Sequence, residues 1–141
     1  MTGEDFPGWA PPAACSLSPA AGGGRLPEMA IGTMRIRPLD HSTFSPERMA
    51  KVTLAEGAGM MVGLNCLLPG QRHELHSHKG QDKLYHVLQG RGTFVVGEQD
   101  FALDTGEQVF VPGGVPHGAS NMSSEKLVVL VVLAPPPVTK K

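Results

Sequence analysis

From Met34 onward the chain alternates apolar and polar residues in short runs, the period of strands whose side chains point to opposite faces in turn. Met34-Arg35-Ile36-Arg37-Pro38-Leu39 is the first such run. A polar connector, Ser42 to Ser45, follows it, and Ser45-Pro46-Glu47-Arg48 is placed to open a single helical turn. Met49 to Leu54 alternates weakly as a second strand. After a turn at Gly57-Ala58-Gly59, Met60 to Leu68 forms a longer apolar strand that ends at the turn-forming pair Pro69-Gly70.

Beyond a histidine-rich stretch, Lys83 to Gln89 has strand character, with Tyr85 and Val87 on one face and Leu84, His86 and Leu88 on the other. Gly90-Arg91-Gly92, Gly97-Glu98-Gln99-Asp100 and Asp104-Thr105-Gly106-Glu107 each read as a hairpin turn. They separate the strands Thr93–Val96, Phe101–Leu103 and Gln108–Val111. A loop from Pro112 to Pro116 leads into His117–Asn121, a polar turn, and then into the apolar strand Lys126–Leu133. Pro135-Pro136-Pro137 ends the pattern, because proline cannot donate to a strand ladder. Nine to ten short strands at a spacing near ten residues, with no amphipathic helix, predict an all-β barrel or sandwich.

Composition adds boundaries. Residues 1–27 are rich in proline, glycine and alanine and lack hydrophobic periodicity, so they cannot bury enough apolar surface to offset their ordering entropy. The expected organisation is a disordered leader over residues 1–30, one β-barrel domain over 31–135 and a tail over 136–141. A formal net charge of −1 and 5% aromatic residues argue against nucleic acid or an anionic membrane surface as partner. The longest apolar run, Leu127 to Ala134, is eight residues, against about 20 for a membrane-spanning helix. Only two cysteines occur, Cys15 and Cys66; Cys66 reads as a small core residue. Without an export signal or a disulfide pattern, the expected compartment is the cytoplasm.

Candidate chemistry is concentrated between Gly70 and Gly90, which holds four of the six histidines. On an extended strand, His76-Ser77-His78 turns both imidazoles to one side and makes half of a transition-metal site. The other half lies downstream, where Gly106, Pro112, Gly114, His117 and Asn121 form a spaced string focused on one histidine, with Pro112 and Gly114 shaping a loop that places His117 at the start of a strand. Together with the spacing Gly70, five residues, His76, one residue, His78, this string resembles the two motifs of the cupin superfamily. The resemblance covers roughly Met60 to Leu133 and implies a small jelly-roll barrel, the double-stranded β-helix.

That resemblance implies His76, His78 and His117 as ligands of a divalent transition metal, with zinc, iron, nickel, manganese and copper not distinguished. The family's fourth ligand, a glutamate seven positions before the closing glycine, falls here on Lys83. Three outcomes are open. Three histidines hold a metal, with Glu74 assisting if the strand extends to it; or a bulge in Lys79-Gly80-Gln81 turns Asp82 inward as a fourth ligand; or Lys83 replaces the metal charge and the pocket binds an anion. Lys83 and Tyr85 are the candidate catalytic residues, Lys83 as a carboxylate partner or as an acid or base. His73 is expected to face away from His76 as a solvated histidine. His86 is expected at a surface or subunit contact, and Asn121 as a residue that fixes a turn. The partners implied are a small-molecule ligand and a second copy of the chain in a homodimer. Metal-dependent dioxygenase, isomerase or decarboxylase chemistry and a non-enzymatic binding module both remain open.

Overall fold

A computed structural model describes residues 34–137. Nine strands succeed one another: β1 Ala50–Glu56, β2 Met61–Leu67, β3 Arg72–His76, β4 Asp82–Gln89, β5 Arg91–Val96, β6 Gln99–Asp104, β7 Gln108–Val111, β8 His117–Ser120 and β9 Leu127–Ala134. They form a five-stranded sheet in the order β1-β2-β9-β4-β7 and a four-stranded sheet in the order β3-β8-β5-β6. Every pairing is antiparallel. Among the described residues there is no α-helix, and no helix is long and apolar enough to cross a membrane. This is the all-β fold expected from the pattern of the chain, in the double-stranded β-helix form that the resemblance implies. The leader assigned to residues 1–30, with Cys15, lies outside the described residues.

The main core fills the space between the sheets. Tyr85, Val87, Val111, Leu127 and Val129 from the five-stranded sheet meet Phe94, Leu103 and Ala119 from the other. The Tyr85 and Phe94 rings lie 5.0 Å apart, and burying each contributes on the order of 2–3 kcal/mol. A second cluster of Leu64, Cys66 and Val128 packs with Phe44, Val52 and Leu88. With apolar neighbours on both faces, β9 reads as a continuous apolar run instead of an alternating one. Cys66 is fully buried, and burial pushes its thiol pKa up; it is the small core residue expected.

Four local expectations are corrected. Met34–Leu39 forms no strand, because Pro38 has no N–H for a ladder; Pro38–His41 instead turn as a 3-10 helix. Ser45–Arg48 makes bends in place of a helical turn, with the Glu47 N–H donating to Ser45 Oγ at 3.3 Å. His117 opens a strand as expected, but in place of a polar turn that strand runs on to Ser120, paired on both sides with β3 and β5, and only Asn121 begins the turn. Gly90 and the Thr105-Gly106 turn are corners between the two sheets; of the three glycine turns from Gly90 to Glu107, only Gly97-Glu98 closes a hairpin. Gly90 has φ +89°, and a Cβ there would stand 2.3 Å from the Lys126 carbonyl oxygen, so both backbone shape and space demand glycine.

Candidate metal centre

The site is built from β3, β4, β8 and the two loops that precede β4 and β8. In β3 the register against β8 shifts by one residue. His73 pairs with Ala119 and His76 with His117, leaving Glu74 and Leu75 opposite Gly118 alone. This β-bulge cancels the strand alternation, so His73 and His76, three residues apart, both turn inward while Glu74 and Leu75 stay exposed. A Cβ on Gly118 would lie 2.9 Å from the His73 carbonyl oxygen and 3.3 Å from the Leu75 nitrogen, so glycine is what lets β8 lie against the bulge.

His78 lies past the end of β3, in the loop to β4. Its approach to His76 therefore comes from that loop, and not from the faces of one strand. The His76 ring centroid lies 4.8 Å from that of His78 and 4.3 Å from that of His117. One ligand nitrogen from each of these three histidines lies within 4.8 Å of the others.

Hydrogen bonding fixes the tautomers of two of them. His76 Nδ1–H donates to the Glu74 carbonyl at 2.7 Å, and His117 Nδ1–H donates to the Val115 carbonyl at 2.8 Å. Each Nε2 is then the open lone pair, and both are buried with no partner among the described residues. Burial lowers the pKa of all three histidines, that of His117 to about 4, with the Lys83 charge adding to it, so each is neutral at pH 7. Two oriented neutral imidazoles and a third beside them fit a transition-metal ion, and the backbone carbonyls act as the outer groups that aim the rings.

The loops that precede β4 and β8 are clipped to each other. Gly114 N–H donates to the His78 carbonyl at 2.9 Å, and Gly113 N–H donates to Asp82 Oδ1 at 2.9 Å. Asp82 is thus exposed and occupied outside the centre, and the register shift that would bring it inward does not occur. Glu74 contributes its carbonyl, while its side chain stands exposed outside the cluster.

Lys83 points inward, as counting along the chain implied. It is 4% exposed, its Nζ lies 4.6 Å from the Tyr85 ring centroid, and it has no ion-pair partner among the described residues. Burial, with the Lys51 charge, lowers its pKa to about 8. It lines a cavity of about 280 Å³ together with Lys51, Asn65, His73, His76, His78 and Gln81, closed on the apolar side by Val131 and Leu133. Tyr85 lies behind that cavity as a fully buried aromatic, with its ring 6.0 Å from that of His117. Its hydroxyl has no partner, and burial raises its pKa.

Two residues of this region were not found from sequence. His73 lies inside, its ring 4.2 Å from that of His76, and burial first and the His76 charge second lower its pKa to about 3. Only the bulge, a property of the strand pair, places it there. Gln81 is buried, donates Nε2–H to the Pro135 carbonyl at 2.8 Å and leaves Oε1 without a partner. Its position two residues before Lys83 was the signal that could have found it. His86 and Asn121 stand as expected. The former is on the outward face with Nδ1 2.9 Å from Gln108 Oε1, and the latter holds its turn through Leu67, Ser123 and Glu125.

Two facing antiparallel sheets with a histidine cluster between strand ends define a double-stranded β-helix protein with a candidate metal centre. The sequence profile of the cupin domain matches residues 63–133, and the chain belongs to the cupin family. A Thermus thermophilus protein of known crystal structure is 40% identical and superposes with a TM-score of 0.70, over 74% of this chain and 100% of that one. An RmlC-like cupin from Desulfovibrio desulfuricans is 25% identical with a TM-score of 0.68, over 75% of this chain and 100% of its own. An uncharacterized Streptomyces coelicolor protein is 40% identical over 77 residues, 55% of this chain and 71% of that one. An uncharacterized Methanocaldococcus jannaschii protein is 28% identical over 67 residues, 48% of this chain; the match spans about half of that relative, 54% of its length.

Proposed function

We propose that this cupin binds a divalent transition metal through His76, His78 and His117, and that the adjoining cavity binds or acts on a small polar or anionic metabolite. The observation that carries this reading is the pair of buried, partnerless Nε2 atoms on His76 and His117, both aimed by carbonyls that fix the opposite nitrogen. Buried polar atoms without partners are rare, and an ion between them explains both. When bound, the metal supplies a Lewis acid or an oxygen-activating centre. The chain supplies the walls, the neutral imidazoles and the Lys83 ammonium, the group best placed to meet substrate charge; Tyr85 backs Lys83 as the second candidate catalytic residue.

Elemental analysis of protein purified without a chelating tag tests the centre. Near-stoichiometric metal is expected in wild type, with loss in His76→Ala. A metal-free wild type together with metal gained in Lys83→Glu sinks this reading. It favours instead a metal-free anion pocket, which the unpaired Lys83 supports. Oxygen uptake or substrate turnover, compared between metal-loaded wild type and His117→Ala, separates enzyme from binding module; equal rates count against metal-dependent catalysis. A cytoplasmic homodimer is part of the same proposal. The half-buried apolar residues Leu54, Leu88 and Leu130 beside the second cluster of the five-stranded sheet support the dimer, and sedimentation of the purified chain tests it.

A further inference from the structure

The cavity has an unusual balance of charge. Lys51 and Lys83 line it, and no aspartate or glutamate does. The three imidazoles contribute donor atoms but no negative charge. A divalent ion held by them sits near a buried ammonium with no carboxylate of the chain to compensate either. Like charges in a partly desolvated site repel strongly, and a buried charge without a counter-charge is costly. Position by position, the residue that departs from the cupin pattern is the one that would have supplied the negative charge. The wall around Lys83 carries Val131 and Leu133, which suits a short alkyl body.

We propose that the missing carboxylate is supplied by the ligand: the cavity takes up the metal ion and a small monocarboxylate as a pair, the carboxylate bridging the metal and the Lys83 ammonium. This rests on the three-histidine metal centre proposed above and names the class of ligand that completes it. A monocarboxylate fits better than inorganic phosphate, because its alkyl body covers the apolar wall of Val131 and Leu133, which phosphate leaves unmatched, while the second lysine, Lys51, is exposed at the rim. Binding of the two is reciprocal: whatever factor the acid adds to metal affinity, the metal adds to acid affinity.

The test is zinc affinity of metal-depleted protein, measured by competition with a chromophoric chelator at fixed ionic strength. Measurements are made alone, with butyrate, with its neutral isostere butyramide and with inorganic phosphate. Butyrate is expected to tighten zinc binding about tenfold or more, and butyramide and phosphate to do so by less than about twofold. Lys83→Met is expected to bind zinc without butyrate at least as tightly as wild type and to show no butyrate effect. Lys83→Glu is expected to bind most tightly of all. Thermal melts confirm that both variants are folded. Equal effects of butyrate and butyramide, an equal effect of phosphate, or a butyrate effect that persists in Lys83→Met each overturn the pairing. Zinc bound equally with and without butyrate does so too, but leaves the metal centre standing. Zinc that binds under no condition removes both readings.

Discussion

β3 and β4 bring their side chains to the same cavity by different means. From Lys83 to Val87, β4 keeps its register against β9 and β7, so every second residue points inward and counting along the chain gives the right face. β3 inserts one residue against β8 and turns inward two histidines that counting assigns to opposite faces. Alternation is thus a rule about strand pairs. It holds only where both partners advance together, and a bulge is invisible in either strand alone.

The largest expected effect separates His73, turned inward by the β3 bulge, from His117 on the neighbouring β8. His117→Ala should weaken metal binding by more than about 100-fold, and His73→Ala by less than about tenfold, because only the former belongs to the ligand cluster. Metal titration of both variants checks this, and equal losses would make His73 a ligand. Next comes the bulge itself. Gly118→Val places a branched side chain against the His73 carbonyl and should destabilise the fold by about 2–3 kcal/mol in a denaturant titration, with Gly118→Ala costing less. An unchanged midpoint would mean that β3 and β8 separate easily there.

On the β4 side, Lys83→Met should stabilise metal-free protein by on the order of 1–2 kcal/mol at neutral pH, since it removes an unpaired buried ammonium. The sign of the pH dependence follows from a folded value of about 8 against the ordinary 10.5. Between these values the unfolded chain holds a proton that the folded chain has released. Wild-type stability therefore rises with pH across that window, and the advantage of Lys83→Met should shrink there. A constant advantage from neutral to alkaline pH refutes the assignment.

The smallest effect belongs to His73, lowered from 6.5 to about 3. Below 6.5 the unfolded chain takes up a proton that the folded chain refuses until about 3, so stability falls as pH drops through that interval. Compared with wild type, metal-free His73→Phe should lose a few degrees less of melting temperature between pH 7 and pH 5.

Most of the fold was legible because short alternating runs and glycine turns follow from local geometry, and the paired motifs named the three clustered histidines. Lys83 was legible as an inward residue for the same reason. What stayed hidden depends on pairing across the chain. His73 needed the bulge that Gly118 accommodates, and Gly118–Ser120 became strand only between β3 and β5. The corners at Gly90 and Gly106 look like hairpins until the strands on either side are seen to join different sheets. Met34–Leu39 carried the strand period without a neighbouring strand to pair with, and Pro38 diverted it.

The clips between the loops that precede β4 and β8, from Gly113 to Asp82 and from Gly114 to His78, bear on how occupancy of the proposed centre would be governed. Where metal is needed to order its own ligands, as in a zinc finger, an empty chain is an unfolded chain and is lost to degradation. Here the two loops are stitched together by the backbone and by a carboxylate outside the cluster, and neither bond needs a bound ion. Under the proposed reading, removing the metal would leave the barrel folded, and occupancy would follow the free metal of its surroundings, rising and falling within the lifetime of one molecule.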